Sequence, residues 1–335
     1  MAGLARKSRQ WFTRRLIDAA VAAAPLLPER AVSVLEAAIG RAGPVLPVLG
    51  GMVADNLRAA GLYSPAVHRE YFASAAAHLA GAVQVFRYAR AAGRGQARGM
   101  HPDLARLVNE RVLLDDSFER LRQAAAMGKG VVLMGVHASN FLLVLARINR
   151  ELPITVYLRH SRDPRRQAIK KRWCEITGLD FIAEPPSAAN PMRRAEIMAD
   201  ALSQGRTLII TPDLAQKRED GVPVRLLGRE VYLPAGAAAI SLVVQAPLVT
   251  VMARPAPAGG QSIGLRFFGP MATPVSQRRR GWRQAAIQEC LQWYAGLLND
   301  EFLIKYPALW FLWGDKRWAR VFRGDPRYTR ALEPS

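Results

Sequence analysis

His137 closes a short apolar run, Val131 to Val136, inside the stretch GKGVVLMGVHASNFLLVLA that covers residues 128–146. The run reads as a buried strand, and Ser139 and Asn140 are residues that start helices, here one carrying Phe141 to Ile148. The imidazole is therefore expected at the carboxyl edge of a strand. Open α/β sheets gather ligands at that edge, and a side chain that titrates near neutrality can act there as a general base. A lone histidine in such a place more often serves structure through hydrogen bonds. Asp213 follows the same rule, because Thr207 to Thr211 reads as a strand that ends at Pro212 and Asp213. Its carboxylate can accept from a substrate hydroxyl, orient a cation, or cap a turn. A third strand end carries YLRHSRDPRR, in which guanidinium groups suit bidentate binding of phosphate. Most of that basic run is expected on a solvated face, and Arg159 is its member nearest the strand.

Strands must lie side by side, with helices between them, to bring these residues together. Val112 to Leu114, Val131 to Val136, Ile154 to Leu158, Thr207 to Thr211, Leu248 to Met252 and Ile263 to Phe267 read as strands. Between and after them Asp115 to Met127, Ser139 to Arg150, Pro164 to Thr177, Met192 to Gln204, Pro234 to Gln245 and Arg283 to Phe302 read as helices. Alternation of this kind predicts an α/β fold with a mixed, mainly parallel sheet flanked by helices. Residues 1–93 are alanine-rich, broken by prolines and helically spaced, and predict a helical N-terminal layer. Ala92 to Met100 reads as a loop, and residues 94–335 form the α/β part.

At 335 residues, half of them apolar, the chain can bury a large core. Its 47 Lys and Arg against 27 Asp and Glu give a formal charge of +20, which attracts nucleic acid, anionic lipid or an acidic carrier protein alike. No nucleic-acid module is recognisable, so that partner is not expected. Cys174 and Cys290 are isolated and have no metal-ligand spacing, and no Walker loop, dinucleotide fingerprint or hydrolase elbow occurs. Neither a metal nor a cofactor is expected. Arg6, Lys7, Arg9, Arg14 and Arg15 surround Trp11, Phe12, Leu16 and Ile17, a pattern that fits an interfacial amphipathic helix or an ordinary surface helix equally. YPALWFLWGDKRW near the carboxyl end suits a membrane interface or a segment wrapped back over the domain, with the second preferred.

In order, these stretches resemble the bacterial lipid A biosynthesis acyltransferases, the lauroyl and myristoyl transferases of the wider glycerolipid and lysophospholipid acyltransferase superfamily. The likeness runs from Asp55, Asn56 and Leu57 through GKGVVLMGVHASNF, TPDLAQKREDGVPVRLLGR and LPAGAAAISLVVQAPLV to the tryptophan-rich end. It implies a fatty acyl transfer from acyl carrier protein or coenzyme A to a hydroxyl of an anionic, lipid A-like glycolipid. The place of work it implies is the cytoplasmic face of the bacterial inner membrane. It also implies roles: His137 as general base, Asp213 as the aspartate of a Pro-Asp motif, and Asn140, Arg159 and Arg229 as substrate-binding residues. One position departs from the pattern. The family's signature is a histidine, four residues, then Asp or Glu, and here that place holds Leu142. Loss of the acid that orients a catalytic histidine can lower the rate by roughly 10⁴, about 5 kcal/mol. Three readings are open: another acid, Asp213 first, orients His137; His137 works unaided; or the chain is a silent relative that binds lipid or carrier protein.

Overall fold

The computed structural model describes residues 23, 26–91, 100–138, 140–158, 161, 163–184, 191–256, 262–271 and 280–331. The strand before His137, β2 (Val131–Met134), is buried at all four positions, which is why its sequence is a continuous apolar run. Gly130 turns the chain into it with φ +67°, and a Cβ there would stand 2.4 Å from the carbonyl oxygen of Leu202, so only glycine fits. On one side β2 pairs in parallel with β5 (Thr207–Ile210), which pairs in parallel with β3 (Ile154–Leu158), and β3 pairs with β4 (Asp180–Ala183). On the other side lie β8 (Leu248–Pro255), β9 (Ile263–Met271) and β1 (Val112–Leu114). The seven strands run in the order β1-β9-β8-β2-β5-β3-β4, parallel throughout except between β8 and β9.

Helices connect these strands as the alternation predicts: α5 (Phe118–Ala126), α6 (Phe141–Glu151), α7 (Pro164–Thr177), α8 (Pro191–Ser203), α9 (Gly236–Val244) and α10 (Trp282–Leu297). Before them come α1 (Glu29–Ala42), α2 (Leu49–Ala59) and α3 (Pro65–Ala91), within the expected helical layer, and α4 (Pro102–Arg111), a helix beyond it that the sequence reading did not include. Residues 6–17 and 92–99, which the sequence predicts as a basic amphipathic helix and a loop, lie outside the described residues.

Some elements differ from expectation. Asp115 does not begin a helix, because its carboxylate accepts from the Ser117 N–H and α5 starts only at Phe118. β4 is an addition to the expected strands, since an edge strand covered on few sides needs no apolar run. The loop after Asp213 contains a hairpin, β6 (Val222–Leu226) with β7 (Arg229–Leu233), closed by Leu227 and Gly228 at φ +50° and +68°. Two positive φ angles in a two-residue loop match the twist of antiparallel strands. The short β10 (Thr329–Ala331) adds to this hairpin beside β7.

The tryptophan-rich end is a strap across the carboxyl edge of the main sheet. α10 continues into a π-helical turn, Leu298–Leu303, and after Tyr306 the chain passes over the strand ends before α11 (Lys316–Phe322). Trp310, Trp313 and Trp318 are fully buried, as the wrapping reading requires. The N-terminal layer grips the strap: Asn56 Nδ2 donates to the Trp313 carbonyl at 2.7 Å and the Tyr71 hydroxyl to that of Phe311 at 3.1 Å.

Candidate active site

Strand register brings the two chemical residues together. Met134 of β2 is paired with Ile210 of β5, and His137 and Asp213 each stand three residues further along adjacent parallel strands. The ladder continues through Gly135, whose N–H donates to the Ile210 carbonyl at 2.9 Å. His137 Nδ1 then meets Asp213 Oδ1 at 2.6 Å, and the His137 backbone N–H donates to Oδ2 at 2.8 Å. Asp213 is 0 % exposed while the imidazole keeps 27 % of its surface open. One ring nitrogen is thus tied to a buried carboxylate, which leaves Nε2 for chemistry.

The strap completes this arrangement. Trp310 Nε1 donates to Asp213 Oδ2 at 3.0 Å, and Trp318 Nε1 to the Asp213 carbonyl at 2.9 Å. A β-bridge joins Ala138 to Trp310, and the Phe311 N–H donates to the His137 carbonyl at 2.9 Å. From the other direction the buried Tyr294 hydroxyl donates to the Gly135 carbonyl at 2.8 Å. Burial, and after it the Asp213 charge, push the phenol well above its ordinary range, so Tyr294 stays neutral. For His137, burial acts to lower the pKa. The Asp213 charge and hydrogen bond, joined by the charge of Asp315, outweigh it and hold the imidazole above 6.5. His78 of α3 behaves oppositely. It stacks on Phe141 at 5.1 Å, and burial lowers it to about 4, so it stays uncharged near neutrality.

His137 lines a cavity of about 650 Å³, within the ~300–1,000 Å³ usual for small-molecule sites. Its floor is one face of the sheet. The pairings of Leu133 with Ile209, Ile209 with Val156 and Leu133 with Val249 place Val156, Ile209, Gly135, Thr211 and Val251 on that face. Met198 of α8 and Ala239, Ile240 and Val243 of α9 also line it. Apolar side chains dominate, and besides His137 the polar ones lining it include Thr211, Gln216 and Arg194. Arg194 is 3.6 Å from Glu184. No cluster of three or more metal-ligating side chains exists among the described residues.

The other expected residues lie elsewhere. Asn140 is buried in a left-handed conformation, φ +57°, at the start of α6, and its Oδ1 faces Gly81 of α3. Arg229 of β7 donates to the Ala59 carbonyl at 3.1 Å, tying the hairpin to the N-terminal layer. Neither lines the cavity, and Arg159 and Ser139 fall outside the described residues. Leu142, where the signature places an acid, is half-buried against the core. The indoles of Trp310 and Trp318, the Tyr294 phenol and Thr211 join the site without being singled out by sequence reasoning. The tryptophans had a visible signal in their clustering, but indole N–H groups are read as packing unless their partner is known.

A mainly parallel sheet with a histidine and an aspartate paired at its carboxyl edge, beside an apolar cavity, defines an α/β protein with a candidate site at that edge. Residues 105–318, more than half of the chain, match the family model for bacterial lipid A biosynthesis acyltransferases, and the chain belongs to that family. A comparison with curated proteins finds no match. Membership supports an acyltransferase activity in general terms, with an acyl donor and a lipid acceptor. The matched span contains both strand ends and most of the strap, whereas α1, α2 and α3 precede it.

Proposed function

We propose that the protein moves a fatty acyl chain from an acyl carrier protein or coenzyme A thioester to a hydroxyl of a lipid A-like glycolipid, with His137 as general base. The observation that carries this reading is the 2.6 Å contact from His137 Nδ1 to a fully buried Asp213 at the wall of the apolar cavity. In the reaction Asp213 keeps the proton on Nδ1, so Nε2 accepts the proton of the acceptor hydroxyl. The resulting oxygen nucleophile attacks the thioester carbonyl, and the tetrahedral intermediate collapses with loss of thiolate. The imidazolium returns its proton to that sulfur, and ester and thiol leave. Leu142 cannot take the acid's part, and on this reading Asp213 supplies it from the neighbouring strand. Arg159 and Arg229 stand as proposed contacts for the acceptor's anionic groups, whereas Asn140 is buried against α3 and does not line the cavity.

Leu142 also favours a second reading, a silent relative that binds lipid or carrier protein without turnover. Incubation of the purified protein with acyl carrier protein thioester and glycolipid separates the two. Thioester loss that disappears in His137→Ala supports the transferase, and equal loss in both proteins sinks it.

We place the protein at the cytoplasmic face of the inner membrane. Among the described residues no single helix is long and apolar enough to cross a bilayer, though α1 and α2 with their linker, bent by 65°, reach the necessary length and composition together. The apex of that bend is apolar and open to solvent: Val45 is 78 % exposed and Val48 80 %, with Leu46 and Leu49 beside them. An apex of this kind inserts at headgroup depth, and the +20 charge draws it to anionic lipid and to an acidic carrier protein. Flotation with anionic liposomes tests it: loss of binding in Val45→Ser/Val48→Ser supports insertion of this apex, and unchanged binding removes it.

A further inference from the structure

We infer that Trp310 is a positioning residue for the His137–Asp213 pair, its indole N–H sharing with the His137 backbone N–H the hold on Oδ2 that turns Oδ1 to the imidazole. The inference rests on the acyl-transfer reading of the site. A carboxylate rotates about one bond and can present either oxygen. Here Oδ2 accepts from two donors, the His137 N–H at 2.8 Å and Trp310 Nε1 at 3.0 Å, and Oδ1 is left for Nδ1 at 2.6 Å. The first donor is a backbone group fixed at the end of β2, and Trp310 is the one of the three that ties the carboxylate to the strap.

The strap is rigid. Trp310 is wholly buried and packs edge-on against Trp313 and Trp318, with both pairs of ring centroids 4.9 Å apart. The same strap bonds the backbone of both partners, at Ala138 and His137 on one strand and at the Asp213 carbonyl on the other. Without the indole N–H, a buried carboxylate oxygen loses a donor that water cannot replace. The charge then falls more heavily on the imidazole, and Oδ2 is held by the His137 backbone N–H alone. An indole present only to fill space would show neither effect.

The test separates shape from hydrogen bonding. Benzothienylalanine at position 310 keeps the size and stacking of indole but has sulfur in place of N–H, and Trp310→Phe serves as a second variant. Turnover of acyl carrier protein thioester gives kcat and KM, and ¹⁵N NMR, with His137→Gln for assignment, follows the titration of His137. The expected result is a fall in kcat of roughly 10- to 100-fold at unchanged KM. The His137 titration should move upward and the acid limb of the rate profile with it. An isostere that titrates and turns over as the wild type does overturns the inference. The NMR readout does not depend on activity. A shifted titration in a protein that never transfers acyl groups would refute the acyl-transfer reading and keep the hydrogen bond's role, whereas an unshifted one removes the role whatever the turnover.

Discussion

Replacing Asp213 by Asn keeps the size of the side chain and removes its charge, and the hydrogen bonds around it dictate which way the amide must lie. Oδ2 accepts from two N–H donors, the His137 backbone and Trp310. An amide NH₂ cannot occupy that place without facing both donors, so the amide oxygen takes it and the NH₂ turns to His137 Nδ1. Nδ1 must then accept rather than donate, and the imidazole proton moves to Nε2, the atom that has to be free to take a proton from the acceptor. Neutralising the acid in a histidine-based triad by the same change lowers turnover by roughly 10⁴, about 5 kcal/mol, through this tautomer fault. Asp213→Asn is expected to lose activity on that scale while remaining folded. Single-turnover loss of acyl carrier protein thioester measures the rate, and ¹⁵N shifts of the His137 ring show which nitrogen carries hydrogen. Activity within tenfold of wild type would refute the role given to Asp213. Lost activity with the proton still on Nδ1 would refute the tautomer argument.

The surroundings of His137 set the pH dependence: the neutral base forms only above its elevated pKa, so the acid limb of kcat/KM should lie above 6.5, and in Asp213→Asn, where burial acts without the opposing carboxylate, it should move to lower pH. The same shift favours the folded state when His137 is protonated. That contribution is complete below 6.5 and fades as pH rises through the folded value, which urea midpoints of wild type and His137→Gln compared across this window will show. Leu142→Glu restores the signature's acid in name, but Leu142 packs against the core, so the change is expected to destabilise the fold by roughly 2 kcal/mol without a gain in rate. A lowered urea midpoint with unchanged or reduced turnover is the expected outcome, and increased turnover counts against Asp213 as the working acid. Ala239→Leu on α9 extends a side chain into the cavity, and excluding two methylenes at about 0.8 kcal/mol each should cut kcat/KM for the longest accepted chain roughly tenfold while sparing shorter ones. A donor-length series measures this, and an unaltered series would separate the acyl chain from the cavity.

The individual strands were legible because buried parallel strands are short apolar runs, and His137 and Asp213 were legible because each ends such a run. Their partnership was not. It depends on β5 lying beside β2 although β3 and β4 intervene in the chain, and on Met134 facing Ile210. Those are properties of sheet order and register, set by the whole core and written in no local spacing. The hairpin β6–β7 escapes sequence reading for a related reason: its signal is a two-residue turn with positive φ at Leu227, a residue that rarely adopts it and whose type gives no warning. Leu142 marks the boundary between local and non-local information. An acid five residues after a histidine is held beside it by the start of one helix, so the motif can be read directly along the chain. An acid delivered by the neighbouring strand needs the register of two strands and, through Trp310 and Trp318, a strap arriving from nearly a hundred residues further on. A His–Asp pair so assembled leans on contacts far from it in sequence, and if the pair does the proposed chemistry, the strap that bonds Asp213 and His137 supports it as much as the strand ends do.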